Sequence, residues 1–229
     1  MRNWLAIVVM LLFSPSVFGG SIIGTRHDLS SPGTPQVCEF CHTPHLANTN
    51  AAIAGAPLWN RAETAQTFTL YGSPTMNVAV SQPGGMTRLC MSCHDGVNAS
   101  TVVHGYSVST KHDLVNAPGH LGVPDMTSEP NCERCHADLY GGKRKLVLGT
   151  DLSNDHPVSM PYPTPAQDPA FKTPTDAQKG WGGTSPNEVK LYAGWVECGS
   201  CHNVHSNDYA PFLRKSNDVS ALCTTCHKK

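Results

Sequence analysis

Apolar positions along this chain fall in short runs that glycine, proline and polar residues interrupt. The longest run, Trp4 to Phe13, follows a basic start at Arg2 and precedes small residues up to Gly20. This order is typical of a secretory signal, and the run is too short to span a bilayer. We therefore predict a signal peptide over residues 1–20, an exported mature domain over residues 21–229, and no membrane span.

Elsewhere the pattern predicts few regular elements. Lys145 to Leu148 is a short run typical of a strand. The segment Ser185 to Glu188 has a capping serine, a proline and a glutamate in the order that begins a helix, although Val189 to Val196 also fits a short strand. Residues 161–184 are dense in Pro, Gly, Thr and Asp, which predicts an exposed loop that packs little of its own surface.

One motif, C-x-x-C-H, occurs five times and accounts for all ten cysteines. The cysteines are Cys38, Cys41, Cys90, Cys93, Cys132, Cys135, Cys198, Cys201, Cys223 and Cys226, and the histidines that end the motifs are His42, His94, His136, His202 and His227. In c-type haem attachment the two thiols add to porphyrin vinyl groups and the adjacent histidine binds the iron. Zinc knuckles and disulfide frameworks also pair cysteines, but neither requires that histidine. The sequence therefore predicts five covalently bound haems.

The composition agrees with that cofactor load. The chain has 20 Gly, 18 Pro and only 7% aromatic residues, and the mature part offers about 42 residues for each haem. Such a chain cannot build an ordinary core around every porphyrin, so the haems supply most of the apolar interior. We predict a mostly irregular fold, with loops, short helices and few short strands wrapped around a chain of five haems in a single domain.

The charge argues against one class of partner. The formal net charge is −1, and oxidised haems with ionised propionates bring the mature product to about −7. Such an acidic product is a poor ligand for nucleic acid.

The remaining histidines bear on whether the haems carry electrons or catalyse. The chain has 12 histidines, and those outside the motifs are His27, His45, His104, His112, His120, His156 and His205. An electron-transfer haem has both axial positions filled, whereas a catalytic haem keeps one open. Because these histidines outnumber the haems, we predict bis-histidine ligation and electron transfer, with His27, His45, His156 and His205 as distal ligands and His112 or His120 completing the set ahead of His104. The alternative is a multihaem reductase with one open coordination site.

Several stretches also carry a family resemblance. Ser21 to Ser30 leading into Cys38 to His45, with Leu89 to Gly96 and Asp155 to Val158, resemble the doubled-CxxCH, cytochrome c3-like proteins exported by metal-respiring bacteria. Some of those cytochromes polymerise into electron-conducting filaments. The resemblance implies a periplasmic or extracellular electron carrier, with other multihaem cytochromes, extracellular electron acceptors or further copies of the chain as partners.

The same resemblance bears on two particular sites. In the filament-forming relatives one distal histidine comes from the neighbouring subunit. Here that implies His45 as the donor and the terminal haem, at His227, as the acceptor. The third motif, Cys132 to His136, looks like an addition to a four-haem pattern.

Overall fold

The computed structural model describes a large part of the mature chain. The described residues are 21–25, 27–28, 30, 36–45, 47–48, 58–61, 63–95, 102–103, 106–107, 148–182 and 187–228. The predictions for the signal peptide, for the third motif, for His104, His112 and His120, and for residues 145–147 lie outside them.

The regular elements in this part are short. The helices are α1 (Gly85–His94), α2 (Cys198–Cys201) and α3 (Cys223–Cys226), with a 3-10 turn at Asp218–Ser220. Two antiparallel pairs join β1 (Val102–Val103) to β2 (Tyr106–Ser107) and β3 (Met160–Pro161) to β4 (Trp195–Val196). The prediction of a mostly irregular chain with few short elements is confirmed for the described residues. Within the same ranges, no helix is both long and apolar enough to cross a membrane.

Helix α1 supplies the inner face of a small apolar core. Its buried positions are Thr87, Leu89, Met91 and Ser92, which at 3.6 residues per turn are spread over more than half of the helix circumference. Met91 packs with Phe68 and Leu152, and Leu70 and Leu148 cover the edge of this cluster. The last residues of α1 are the second C-x-x-C-H motif, so the core fixes that motif directly.

Residues 187–196 correct one prediction. Asn187 and Glu188 lie in a turn and no helix follows them, whereas the alternative, a short strand, is confirmed only for Trp195–Val196. Val189 and Leu191 are 2% and 5% exposed. These apolar side chains are packed in an irregular segment. The free energy of that packing outweighs the local preference for a helix start.

Most described residues of the segment 161–182 are exposed, as predicted for this loop, but three of its aromatic side chains pack against one another. Tyr162 lies edge-on to both Phe171 and Trp181, with ring centroids 5.5 and 5.4 Å apart. At Gly180 the backbone φ is +91°, and a Cβ there would lie 2.7 Å from the carbonyl oxygen of Val189. Glycine therefore permits the close approach that joins this segment to the packed run after it.

Candidate functional site

Three of the cysteine motifs close the same backbone turn. In the first, fourth and fifth motifs the N–H of the terminal histidine donates to the carbonyl of the first cysteine, at 2.9, 3.1 and 3.0 Å respectively. This is the hydrogen bond of one α-helical turn. Residues spaced as in C-x-x-C-H then share one side of the turn, which places two thiols and an imidazole around a common space.

A second segment locks each of these turns. An apolar residue forms an isolated antiparallel bridge with the motif histidine; the pairs are Trp59 with His42, Leu213 with His202, and Phe171 with His227. The residue after each apolar partner donates to the carbonyl of the second cysteine, at 2.9, 2.9 and 2.7 Å. The backbone N–H of the residue after each motif histidine donates to the carbonyl of the residue before the apolar partner, at 2.7, 2.7 and 2.8 Å. We call this arrangement the bridged turn.

The second motif is held differently. It forms the end of α1, and the carbonyl of His94 accepts from the N–H groups of Leu148 and Gly149 at 3.0 and 3.1 Å. Asp95 follows directly and is 1% exposed, and its carboxylate accepts from the Thr64 hydroxyl at 2.6 Å. Helix, cap and crossing segment thus fix the direction in which His94 points.

Three motif histidines each lie opposite a second histidine from a distant segment. The ring centroids of His42 and His205 are 6.1 Å apart with an interplanar angle of 18°. Those of His94 and His27 are 6.1 Å apart at 71°, and those of His227 and His156 are 6.4 Å apart at 71°. Each pair joins a histidine that directly follows C-x-x-C to one that sequence analysis chose as a distal ligand.

Hydrogen bonds prepare two of the rings for ligation. Nδ1 of His156 lies 2.9 Å from the Pro157 carbonyl oxygen, and Nδ1 of His202 lies 3.1 Å from that of Pro211. A ring N–H that donates to a backbone carbonyl fixes the tautomer and leaves Nε2 with its lone pair.

His27 is prepared by burial. Removal from water, followed by the neighbouring charge of His94, lowers the pKa of His27 from 6.5 to about 4. Its ring is therefore neutral at neutral pH, which is the form that binds a metal. Its buried Nδ1 has no hydrogen-bond partner among the described residues.

The paired rings fit an iron with two imidazole ligands. A metal–imidazole bond of about 2 Å on each side places two ring centroids about 6 Å apart, close to the separations of the three pairs. Rotation about the shared nitrogen–metal–nitrogen axis leaves the interplanar angle free, so 18° and 71° are both compatible. The residues present therefore fit haem c, with cysteines to attach it and two histidines to hold its iron.

Paired cysteines also occur in disulfides and in metal clusters, and neither is found among the described residues. The eight cysteines in the described ranges form no disulfide. In the same ranges no three His, Cys, Asp or Glu side chains gather as they would around a single bound ion.

Not every predicted ligand is brought to a partner. His45 is exposed, and no ring of the described part of the chain lies opposite it. His202 is also exposed and has no ring of the described residues opposite it. The third motif and its neighbouring histidines are outside the described residues.

Sequence analysis missed the residues that lock the bridged turns. These are the apolar partners Trp59, Leu213 and Phe171, together with two buried arginines that donate to motif carbonyls. Arg61 Nε donates to Phe40 O at 2.9 Å and Arg214 Nε donates to Gly199 O at 2.6 Å. Each arginine follows an apolar partner within two residues, a signal too common in sequences to identify a site.

Comparison with known proteins agrees with this chemistry. Residues 193–229, which contain the fourth and fifth motifs, match the family model described as the doubled CXXCH motif. A comparison with curated proteins finds no match for the chain. The family match supports a multihaem c-type cytochrome with covalently bound haem c, a kind of protein that carries electrons.

Proposed function

We propose that this protein is an exported pentahaem c-type cytochrome that relays electrons through bis-histidine haems and turns over no substrate of its own. The observation that carries the proposal is the set of three histidine pairs, whose rings are separated by 6.1, 6.1 and 6.4 Å. Each haem supplies a one-electron couple when it is bound. The proposal extends the same ligation to the haems of the third and fourth motifs.

The chain's own contribution is to hold ligands in place without rearrangement. Backbone bonds of the bridged turns fix His42, His202 and His227, and α1 fixes His94. The distal rings of His27, His156 and His205 come from segments far away in the sequence, so each haem would also tie two segments of chain together. Haems that tie distant segments together in this way would stabilise a chain with little regular structure.

Substitution of His156 tests the ligand pairing. The variant His156→Ala is made in the mature protein with its haems attached. It removes the ring opposite His227 and should convert one haem from low-spin to high-spin. That haem should then bind carbon monoxide or cyanide. Asn154→Ala, a change in the same exposed loop, is the matched control and should leave all haems low-spin.

The outcomes separate the two parts of the proposal. Absence of covalent haem from the wild-type chain overturns the function itself. Fully low-spin haem in His156→Ala overturns the pairing, and a high-spin haem in the assembled wild-type protein favours the reductase alternative.

We also propose that the protein acts outside the cytoplasm and assembles with further copies of itself, with His45 as a ligand to a haem of the neighbouring copy. Support comes from the exposure of His45 and from its H-x-x-H spacing after the first motif. The acceptor expected from the sequence was the terminal haem, at His227. Because His156 already lies opposite His227 within one chain, we propose that the acceptor is a haem other than the one at His227.

Assembly of the His45→Ala variant tests this. Light scattering and electron microscopy of the purified protein should show concentration-dependent polymers for the wild type and shorter or no polymers for the variant. Equal assembly by both proteins, with every haem low-spin, overturns the intermolecular ligand.

A further inference from the structure

A buried carboxylate lies between the second and fourth haem-attachment segments. Glu197 directly precedes Cys198 and is 4% exposed. Its Oε2 accepts hydrogen bonds from the Thr87 backbone N–H at 3.2 Å, from the Thr87 hydroxyl, and from the Ser159 hydroxyl at 3.0 Å. Burial raises the pKa of the Glu197 carboxyl group above its ordinary value, and the hydrogen bonds from Thr87 and Ser159 oppose that rise by stabilising the ionised form.

The same carboxylate caps two helices. It is the N-cap of α2, where its side chain accepts from the Ser200 N–H while Ser200 Oγ accepts from the Glu197 N–H at 2.9 Å. Helix α1 has no capping hydrogen bond from its own N-cap residue, Gly84. Because Thr87 is the third residue of α1, Glu197 provides from another segment the bond that an N-cap side chain ordinarily makes.

This clamp brings the two attachment helices into contact. The Thr87 hydroxyl accepts from the Cys198 N–H at 3.1 Å, and α1 and α2 pack against each other. A Cβ at Gly199 would lie 2.7 Å from Met86 Cγ of α1 and 2.5 Å from Tyr192 Oη. The first cysteines of the second and fourth motifs are therefore neighbours.

From this geometry we infer that Glu197 is a positioning residue that holds the haems of the second and fourth motifs as an adjacent pair, and that its negative charge lowers their reduction potentials. The inference rests on the proposed function, since it requires haem at both motifs. Nothing in the C-x-x-C-H pattern itself assigns a role to the residue before the first cysteine.

The charge argument follows from the surroundings of Glu197. Its hydrogen-bond donors are backbone N–H groups and the hydroxyls of Thr87 and Ser159, and no lysine or arginine in the described part of the chain forms an ion pair with it. Neutral donors stabilise the charge without cancelling it. A buried negative charge favours the oxidised haem, which is the more positive state, and so lowers the potential.

Glu197→Gln provides the main test in the haem-loaded mature protein. The substitution keeps size and removes charge, so spectroelectrochemical titration should show the midpoint potentials of two haems moving upward. The expected change is on the order of tenfold in the reduction equilibrium constant, which is 59 mV for a one-electron couple. Glu188→Gln is the matched control, because Glu188 pairs with Lys215 at 3.1 Å on a partly exposed surface and its loss should leave the titration unchanged.

Two further variants separate charge from clamping. Ser200→Ala removes the reciprocal capping bond with no change of charge, and should lower stability while leaving the potentials in place. Ser159→Ala removes one donor to the carboxylate and, at pH 8, should move the potentials of the pair downward, because the charge is less compensated. The Ser159 variant also keeps the inference testable if Glu197→Gln fails to fold.

The results that overturn the inference differ from those that overturn the proposed function. Haem-loaded Glu197→Gln protein with a wild-type titration excludes the charge effect, and so does an unchanged titration of Ser159→Ala. A shift in Ser200→Ala as large as that in Glu197→Gln assigns the effect to packing alone and excludes the charge effect as well. Absence of haem at the second or fourth motif of the wild-type protein, by peptide mass spectrometry, removes the function on which the inference rests.

Discussion

Two segments of this chain have the same H-x-x-H spacing but different surroundings. His42 to His45 ends the first motif and His202 to His205 ends the fourth, and both begin from a bridged turn. The ring of His205 lies 6.1 Å from that of His42. His45, at the equivalent position, has no ring of the described residues opposite it, although both histidines are exposed.

The difference shows what the H-x-x-H spacing determines. In both segments a side chain folds the backbone locally, since Thr43 Oγ1 accepts from the His45 N–H and Asn203 Oδ1 accepts from the His205 N–H, each at 3.2 Å. The spacing thus directs the second histidine away from its own motif. Which haem receives it depends on the segments packed nearby.

The largest expected effect comes from the second histidine of the fourth motif. His205→Ala removes the ring opposite His42, so one haem should become high-spin in the dilute monomer and bind carbon monoxide. His45→Ala in the same dilute protein should leave the spin states of the wild-type monomer unchanged, because His45 is proposed to bind a haem only in another copy. Electron paramagnetic resonance of the oxidised proteins checks both, and a low-spin His205 variant would contradict the pairing.

An intermediate effect is expected from Gly199→Ala in the fourth motif, because the position after the first cysteine of this motif is closely packed. Gly199→Ala places a Cβ 2.5 Å from Tyr192 Oη and 2.7 Å from Met86 Cγ, and such overpacking costs about 1–3 kcal/mol of unfolding free energy. The first motif carries Glu39 at this position, which shows that the turn itself tolerates a side chain. Gly72→Ala is the control, since its Cβ meets nothing within 4 Å. Denaturant unfolding followed by circular dichroism measures the difference, and equal midpoints would show that the two helices are not in contact.

The smallest effect is expected from the polar residue inside each H-x-x-H segment. Thr43 is 1% exposed and its hydroxyl donates to the His45 carbonyl, so Thr43→Ala should lower the unfolding free energy by about 1 kcal/mol. Asn203→Ala removes a single bond at a half-buried site and should cost less. The same unfolding assay measures both variants. A larger loss of unfolding free energy in Asn203→Ala than in Thr43→Ala would contradict this prediction.

Sequence reasoning reached the attachment chemistry because that chemistry is local. The thiols and the proximal histidine lie within one turn of chain, so their spacing alone identifies them. The irregular character of the fold followed from composition in the same way.

The pairing of ligands could not be reached by the same route. His94 meets His27, and His227 meets His156, through tertiary packing that no short pattern encodes. Glu197 was missed because its partners, Thr87 and Ser159, are distant in sequence. The helix predicted to follow Ser185 was wrong for residues 187–196, because burial of Val189 and Leu191 decides the conformation of that segment.

The bridged turn does not depend on the order of its two segments along the chain. Its second segment follows the motif at Trp59 and Leu213 but precedes it at Phe171, and its bonds are made by the backbone. Because closing a longer loop costs only slightly more entropy, insertions between the two segments should leave the geometry of the turn intact. Recombination of short chain pieces could therefore add or remove one such turn without redesign of its neighbours.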